Sequence, residues 1–592
     1  MGWNATPVSG PRIYNLFPLL AGPIARWSDH LERIARMRFD WVYVNPFHET
    51  GFSGSLYAVR DYARLDARLI AESDASEALG GEAADALVRG FVDTAEASGQ
   101  HVMMDLVVNH TSKDALFVET HPDWYARDDR GEMRSPFAID PGDPARRTVW
   151  GDLAELDWSQ RHAREAMLDA FGTIVGRYAA LGVRGFRCDA AYKVPADVWR
   201  RLIEVARGLV PTALFAAETL GATPAQVEQL AAAGFDYLFN SSKWWDFRAD
   251  WLLEQYEAFR HIAPSIAFPE SHDTVRLASE LEGSSSDELA AHYRFRYLFA
   301  ATFSAGVMMP MGYEYGFAKA LDVVATRPED WEMPRFDIID FIAAVNSLKA
   351  RIEPLNEEGP QERLNPPDAW PLTLLRHSLR GDRRVLSLFN PSRRELAFDT
   401  SVIAAAFESA DFLDLTPLRG PLATNGDGEA FLQPLEARVF VSDDPLVARG
   451  DAARSGPTNA GRVAIEHVAP SLDAGRYAVK RTLGETFAVE ADVFLDGHDE
   501  PAAVVKFRER GTSAWTEQRM EPIGNDRRRA TIPLPRIGTY EYVVEGWVDA
   551  FASWQNDVRK KRDAAQPLAL EFVEGRALLG DAVDRARGKE RA

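Results

Sequence analysis

Three carboxylic acids with charged neighbours each follow a short apolar run of the chain. Asp189 stands in GFRCDAA, two positions after Arg187, while Glu218 stands in LFAAET and Asp273 in IAFPESHD. One such acid is commonly a helix cap, but three of them together favour a reactive site. Two carboxyl groups about 5–5.5 Å apart can cleave a glycosidic bond with retention, one as the nucleophile and the other as the proton donor.

The spacing of Arg187 and Asp189 places both on one face of a strand, because strand side chains alternate between faces. Taken alone, the two residues are explained by an ion pair that ties a strand to a helix. With a second acid nearby, the cation favours the ionised form of Asp189 and orients it as a nucleophile. Glu218, crowded by other carboxylates, is expected to have a raised pKa and to hold the proton that it donates to the leaving oxygen.

The elements that must position these acids alternate as repeated βα units up to about residue 316. The strand candidates are RIYNLFP (12–18), WVYVNP (41–46), HVMMDLVVNH (101–110), GFRCDAA (185–191), LFAAET (214–219), YLFNSS (237–242), IAFPESHD (266–273) and GVMMPMGYEYG (306–316). Eight parallel strands close into a barrel, and their carboxyl ends form the floor of its cleft. Asp105, His110 and His272 should therefore join the acids there, with the histidines hydrogen-bonding sugar hydroxyls.

The domain organisation follows from where this alternation changes. The connection after the third strand is too long for an ordinary βα loop and is rich in Pro, Asp, Gly and Trp, which indicates an inserted domain. After about residue 370, apolar and polar residues alternate with a period of two, as in the strands of antiparallel sheets. We predict a (β/α)8 barrel at 1–370 with the insertion at 111–160, an antiparallel β domain at 371–445, a linker at 446–462, a β-sandwich at 463–575 and a helical tail at 576–592.

The charge balance excludes several kinds of partner. The 67 basic and 89 acidic residues leave a net charge of −22, which argues against nucleic acid or an anionic membrane surface and fits a neutral substrate. A single cysteine excludes an internal disulfide. The first residues lack a basic region followed by an apolar run, and no apolar stretch is long enough to span a membrane. We therefore expect a cytoplasmic protein.

Four short motifs resemble those of a known family. DLVVNH, GFRCDAA, AETL and ESHD occur in the order found in the α-amylase family, glycoside hydrolase family 13, and the resemblance covers roughly residues 10–445. It implies an α/β fold, a (β/α)8 TIM barrel with an inserted B domain, here followed by two all-β sandwich domains. It also implies that Asp189 is the nucleophile, Glu218 the acid/base and Asp273 the transition-state stabiliser.

The same resemblance implies the substrate contacts. These are assigned to Tyr57, Asp105, His110, Arg187, Tyr192, Lys193 and His272. Many members have Lys-His where this chain has Tyr192 and Lys193, so the acceptor preference stays open. Asn109 resembles a calcium ligand of some amylases, but the insertion has no obvious acidic cluster. We therefore predict no metal and no cofactor.

The C-terminal part resembles a second group of proteins. RVAIEHVAPSLDAGRYAVKRTLGETFAVEADVFLDGHD, followed by YEYVVEGWVDAFASWQNDVRKK, is similar to the N-terminal β-sandwich of bacterial maltose-1-phosphate maltosyltransferases. In that family the module precedes the catalytic barrel, whereas here it follows one, which suggests a fusion or a shortened gene. Ala190 replaces the asparagine that follows the nucleophile in those enzymes, and only Lys193 and Lys243 are candidates to contact a donor phosphate.

Three functions remain open at this level. The first is a retaining hydrolase or transglycosylase that acts on α-1,4-linked maltooligosaccharides or glycogen-type glucan by double displacement. The second is maltosyl transfer from maltose 1-phosphate to α-1,4-glucan, by the chain or by a protein of which it is a component. The third, from another class, is a catalytically inactive carbohydrate-binding scaffold. For the module at 463–575, docking or homodimer formation is the expected role.

Overall fold

The computed structural model of this protein describes most of the chain. The described residues are 10–70, 79–140, 143–379, 383–407, 412–425, 428–442, 463–471, 478–495, 497, 499–509, 515–564 and 566–585. The chain forms two compact units, Met1–Asp443 and Asp444–Ala592, and each is described by itself. The predicted linker at 446–462 lies outside the described residues.

Eight parallel strands of the first unit close into a barrel. They are β1 (Arg12–Leu16), β2 (Trp41–Val44), β3 (His101–Leu106), β4 (Gly185–Cys188), β5 (Leu214–Ala217), β6 (Tyr237–Phe239), β7 (Ser265–Ala267) and β8 (Gly306–Pro310). Each strand pairs with its neighbours in the chain, and β1 pairs with β8 to close the ring. The predicted barrel is confirmed, and β3, β4 and β5 lie side by side.

The barrel strands are shorter than the apolar runs that predict them. Strand β7 ends at Ala267, although the predicted strand extends to residue 273. Pro269 explains the difference, because it has no amide hydrogen for the ladder. His272 and Asp273 therefore lie in the loop that follows β7 and not at the strand end itself.

Amphipathic helices pack on the outside of this barrel. In the helix Arg161–Ala180, the residues Met167, Phe171, Ile174, Val175 and Tyr178 are all buried, as their helical spacing predicts. The α-helices of the first unit are Pro18–Ala21, Leu31–Arg36, Gly81–Ala97, Leu116–Thr120, Arg161–Ala180, Ala196–Leu209, Pro224–Glu228, Trp251–Phe259, Leu277–Glu280, Ser286–Phe303, Ile339–Arg351 and Ser401–Ala406. Short 3-10 helices include Ala191–Lys193, Ser242–Trp244, Tyr313–Tyr315 and Pro328–Asp330.

Two long connections form small sheets of their own. After β2, a three-stranded sheet contains His48–Thr50, Val59–Leu65 and Leu79–Gly80. After β3, where the sequence predicts an insertion, His110–Ser112 pairs with Leu153–Glu155, and Phe137–Asp140 pairs with Asp143–Val149. Trp158 fixes the end of this insertion because its indole nitrogen donates to Val108 O at 2.9 Å.

The first unit ends in two antiparallel sheets that share an apolar core. One has the strands Gln361–Arg363, Leu372–His377, Arg384–Phe389, Ala437–Ser442 and Phe412–Asp414, and the other has Leu396–Asp399, Glu429–Leu432 and Ala423–Thr424. Arg376 joins the larger sheet to the barrel, because its buried guanidinium donates to Phe303 O at 2.6 Å. The alternating pattern after residue 370 thus forms the kind of sheet that it predicts.

The second unit contains two further antiparallel sheets. They are formed by Val463–Ala469, Phe487–Leu495, Arg527–Ile532 and Glu521–Gly524, and by Thr516–Arg519, Pro501–Glu509 and Tyr540–Val548. The chain then enters the helices Ala550–Asp563 and Ala569–Arg585. Asp549 caps the first of them, accepting a hydrogen bond from Ala552 N at 3.0 Å, so helical structure begins well before the tail predicted at 576–592.

Within the described residues, none of the helices is long and apolar enough to cross a membrane.

Candidate active site

A buried arginine joins two carboxylates at the carboxyl ends of β3 and β4. Arg187 Nη1 lies 3.0 Å from Asp105 Oδ1, 3.1 Å from Asp105 Oδ2 and 2.7 Å from Asp189 Oδ1. The parallel register pairs Arg187 with Asp105 directly across the two strands. Because one cation contacts both anions, the desolvation cost of burying each charge is offset, and the Asp189 carboxylate has a fixed orientation.

The backbone and Asn109 also hold Asp189, which follows β4 by one residue. Asp189 N donates to Leu106 O at 3.1 Å. The Asn109 amide donates to Asp189 O at 3.0 Å and to Asp189 Oδ2 at 3.2 Å. The next residue, Ala190, has a φ of 41°, in the left-handed region that alanine seldom adopts. This turn directs the amide of Ala190 towards the neighbouring acid on β5.

That neighbouring acid is Glu218, which follows β5 by one residue and is 8% exposed. Its Oε2 accepts a hydrogen bond from Ala190 N at 2.9 Å, and its Oε1 accepts one from Leu220 N at 2.5 Å. Burial raises the pKa of Glu218 to about 7; Arg187 opposes this shift, and the charge of Asp189 adds to it. Near neutral pH a large fraction of Glu218 is therefore protonated, as a proton donor requires.

The loop after β7 brings a histidine and the third acid to this end of the barrel. His272 Nε2 lies 2.7 Å from the Tyr57 hydroxyl and 2.9 Å from Asp273 Oδ2. The Tyr57 and His272 rings are nearly parallel, with centroids 5.8 Å apart. The side chain of Asp273 is 59% exposed. Desolvation raises the pKa of this carboxyl, but His272 and then Arg187 lower it by more, so the pKa of Asp273 lies below its usual value.

A network of uncharged donors, not predicted from the sequence, supports Asp105. The hydroxyls of Tyr43 and Tyr57 both donate to Asp105 Oδ2, at 2.5 and 2.7 Å. Asn45 donates to both hydroxyls, and Asn15 donates to Asn45 Oδ1 at 2.8 Å. Asn15 and Asn45 are fully buried. The only signal in the sequence is an asparagine within each of the first two apolar runs.

The other predicted contacts surround this network. His110 Nε2 lies 3.2 Å from Tyr57 O, and burial lowers the pKa of His110, so its imidazole is neutral near pH 7. Burial, followed by the charges of Glu218 and Asp189, raises the pKa of Tyr192.

The two lysines that are candidates for a donor phosphate already have partners. Lys193 Nζ donates to Phe137 O at 2.5 Å and lies 5.4 Å from the ring centroid of Trp150, so it ties the insertion to the barrel. Lys243 is 8% exposed and bonds both carboxylate oxygens of Glu280, at 2.8 and 2.9 Å. Lys243 is therefore half of a structural ion pair.

We expect chelation to leave activity unchanged. Over the part of the chain that the structure describes, no group of three His, Cys, Asp or Glu side chains is arranged to hold a metal ion. Asn109, the one candidate calcium ligand, instead donates its amide hydrogens to Asp189. Activity on maltooligosaccharides, measured before and after dialysis against EDTA, tests this prediction. Inactivation that added calcium reverses would contradict it.

The arrangement has the parts that retention at an anomeric carbon requires. Asp189 is an oriented carboxylate, Glu218 is a partly protonated acid on the adjacent strand, and the Ala190 amide joins their positions. Asp273 is a third, ionised carboxylate. Nucleophile, proton donor and a further anion are the groups that an oxocarbenium-like transition state uses.

Comparison with solved structures assigns the class of fold. An α-amylase from Lactobacillus plantarum superposes with a TM-score of 0.57 at 18% identity, covering 73% of this chain and 98% of that one. An α-amylase from Geobacillus thermoleovorans, solved with acarbose, gives a TM-score of 0.57 at 15% identity and the same two coverages. The first unit therefore has the α-amylase fold, as the four motifs predict.

Sequence relatives give a narrower result. Residues 461–592 match the family described as α-1,4-glucan:maltose-1-phosphate maltosyltransferase, domain N/S, and residues 5–139 match the glucanotransferase domain of glycogen debranching enzyme. A maltosyltransferase of Burkholderia pseudomallei is 30% identical over 607 residues, which is 98% of this chain and 52% of that protein. One of Myxococcus xanthus is 47% identical over 131 residues, 22% of this chain and 20% of that protein.

These matches confirm both resemblances predicted from the sequence. An α-amylase-type barrel is followed by a region of the maltosyltransferase N/S type. The chain spans about half the length of the Burkholderia relative and a fifth of the Myxococcus one.

Proposed function

We propose that this chain acts on α-1,4-glucans with retention and transfers maltosyl units from maltose 1-phosphate to a glucan acceptor. The observation that carries the proposal is the pair formed by Asp189, oriented by Arg187, and Glu218, whose pKa is raised to about 7. The Burkholderia relative, which aligns with 98% of this chain and is named as a maltosyltransferase, favours this donor over hydrolysis of glucan.

The proposed reaction proceeds in two displacements. Asp189 Oδ attacks the anomeric carbon of the donor, the bond from that carbon to the phosphate oxygen breaks, and Glu218 gives its proton to the leaving oxygen. A β-maltosyl ester on Asp189 results. The 4-hydroxyl of a glucan then attacks the same carbon, Glu218 takes the hydroxyl proton, and the ester bond breaks to give an α-1,4 linkage. Asp273 binds the 2- and 3-hydroxyls as the ring flattens.

A second candidate is hydrolysis or transglycosylation of α-glucan without phosphate. Three observations favour it: Lys193 contacts Phe137 O, Lys243 is neutralised by Glu280, and Ala190 has no polar side chain to offer a phosphate. The carboxylate pair is the same in both reactions. The two candidates therefore differ in the donor, in the group that leaves and, for hydrolysis, in the acceptor, which is then water.

Product analysis separates the two candidates. The chain is incubated with maltoheptaose alone, with maltoheptaose and phosphate, and with maltoheptaose and maltose 1-phosphate. Under our proposal, phosphate is released only in the third mixture while products grow by two glucose units, and maltose 1-phosphate forms in the second. A ladder of shorter or rearranged glucans in the first mixture supports the second candidate. If no product forms in any mixture, both candidates are refuted and the glucan-binding scaffold remains.

Two finer predictions belong with this proposal. The single cysteine, which excludes an internal disulfide, favours a cytoplasmic location, which fractionation of cells tests directly. The region at 463–575 is expected to mediate homodimer formation or docking, since Trp515 and Trp547 are 39% and 40% exposed. Sedimentation of the full chain tests dimer formation.

A further inference from the structure

A cleft of about 670 Å³ lies between the connection that follows β2 and the one that follows β8. The charged side chains among its described lining residues are Arg60, Arg64, Arg68, Arg327, Glu49 and Asp66. Four guanidinium groups and two carboxylates leave this lining with a formal charge of +2, although the whole chain has a net charge of −22. Such a local reversal of charge attracts anions.

The wall formed by Arg68 is rigid. Arg68 Nε and Nη2 bond the two oxygens of Asp66 at 2.8 and 3.0 Å, and Arg68 Nη1 donates to Val324 O at 3.2 Å. Asp66 also accepts hydrogen bonds from Thr50 Oγ1 and from Arg68 N. This pair therefore joins the two connections and fixes the width of the cleft.

Two other arginines retain donors for a ligand. Arg327 is exposed, and its Nη1 donates to Val324 O at 2.8 Å and Thr326 O at 2.7 Å. Among the described residues no carboxylate lies within 4.0 Å of its guanidinium, which carries five N–H groups in all. Within the described part of the chain, the hydrogen bond of the Arg60 side chain is the one from Nη1 to Glu49 Oε1 at 2.6 Å, and this side chain is 36% exposed.

We propose that this cleft binds a phosphate dianion, either inorganic phosphate or the phosphate group of a sugar. The planar fork of arginine matches the oxygens of a phosphate, and charge-assisted hydrogen bonds to it are strong. A phosphate dianion also balances the +2 charge of the lining, and the volume falls in the range of small-molecule sites. The inference goes beyond the proposed function and does not depend on it, because no described hydrogen bond joins the lining residues to Asp189 or Glu218.

Calorimetric titration of the full chain tests the proposal, with inorganic phosphate and a hexose phosphate as the two probes. The titrations use the Asp189→Asn background, so that turnover cannot consume a ligand. Arg327→Gln and Arg60→Gln are each expected to weaken binding by about ten-fold, the effect of losing one charge-assisted hydrogen bond. Tighter binding of the hexose phosphate identifies a sugar as the source, and equal binding identifies free phosphate.

A matched control is Arg201→Gln, since Arg201 is 67% exposed and pairs with Glu204 at 3.5 Å on the barrel surface. This variant is expected to bind both probes as the parent does. Absence of binding in the parent, or equal binding in the parent and in both cleft variants, would overturn the proposal. Circular dichroism establishes that each variant is folded, so a lost fold cannot be mistaken for a lost site.

Discussion

Replacing Asp189 with asparagine is expected to lower turnover of maltooligosaccharides, with or without maltose 1-phosphate, by at least about 10⁴-fold, the scale on which enzymes lose activity when a nucleophile is removed. The neutral amide cannot form the glycosyl ester. The fold should survive, because Arg187 keeps its contacts with Asp105 at 3.0 and 3.1 Å and is not left as an unpaired buried charge. The loss in free energy of unfolding should stay below the roughly 3–5 kcal/mol that breaking a buried pair costs.

The control for this variant makes the same change at the other end of the barrel. Asp40 precedes β2 and pairs with Arg12, whose Nη2 lies 2.5 Å from Asp40 Oδ2. Asp40→Asn is expected to alter stability but to leave kcat within about two-fold of the parent, since surface and structural changes act mainly on folding. Steady-state rates and thermal unfolding of both variants are compared. Normal turnover in Asp189→Asn would refute the proposed nucleophile.

The barrel and its acids can be predicted from the sequence because two physical constraints leave a visible pattern. Strands buried on both faces must be continuous apolar runs, and a polar side chain at the end of such a run is costly unless it has a partner or a function. Asp189 and Glu218 each interrupt a run at its carboxyl end. The type of these two residues and their position at the end of an apolar run are therefore enough to predict them as site residues.

The support around these acids cannot be predicted in the same way. A tyrosine such as Tyr43 within an apolar strand has the pattern of a core residue, and only the closure of the barrel brings its hydroxyl to Asp105. The hydrogen bond from Ala190 N to Glu218 depends on the left-handed conformation of Ala190, and an alanine in the sequence does not predict that conformation. The helix Ala550–Asp563 lies inside the stretch 463–575 that the sequence predicts to be a β-sandwich. Each case depends on contacts between segments distant in the chain.

The two acids differ in what the surroundings favour, and this difference decides their roles. Arg187 contacts Asp189 directly at 2.7 Å. Among the described residues, the hydrogen-bond partners of the buried Glu218 carboxyl are backbone amides, and its pKa is raised to about 7. Separate environments for two nearby carboxyl groups are the usual means of making one a nucleophile and the other an acid. Exchanging the two roles would require a cation beside Glu218 instead.

Replacing Glu218 with glutamine is accordingly expected to lower turnover of natural glucans by about 10²- to 10⁴-fold, the range for loss of an acid/base group. A maltoside with an activated leaving group needs no proton, so its first displacement should be nearly as fast as in the parent. In the parent, kcat/KM should fall as the pH rises through about 7, because Glu218 then loses the proton that it donates. This decline should be absent from Glu218→Gln on the activated substrate.

Trapping the intermediate distinguishes a lost acid/base from a damaged site. With Glu218→Gln and an activated maltoside, azide should attack the ester on Asp189 without help from a base, giving an α-maltosyl azide and a faster steady state. Asp189→Asn offers the matched comparison, since it forms no ester for azide to intercept. A β-azide from Glu218→Gln would mean that azide displaces the leaving group directly, without an ester on Asp189. An unchanged alkaline decline in the kcat/KM of Glu218→Gln on natural glucans would mean that another group donates the proton. The retaining assignment rests on this outcome because both carboxyl groups must act on the same anomeric carbon.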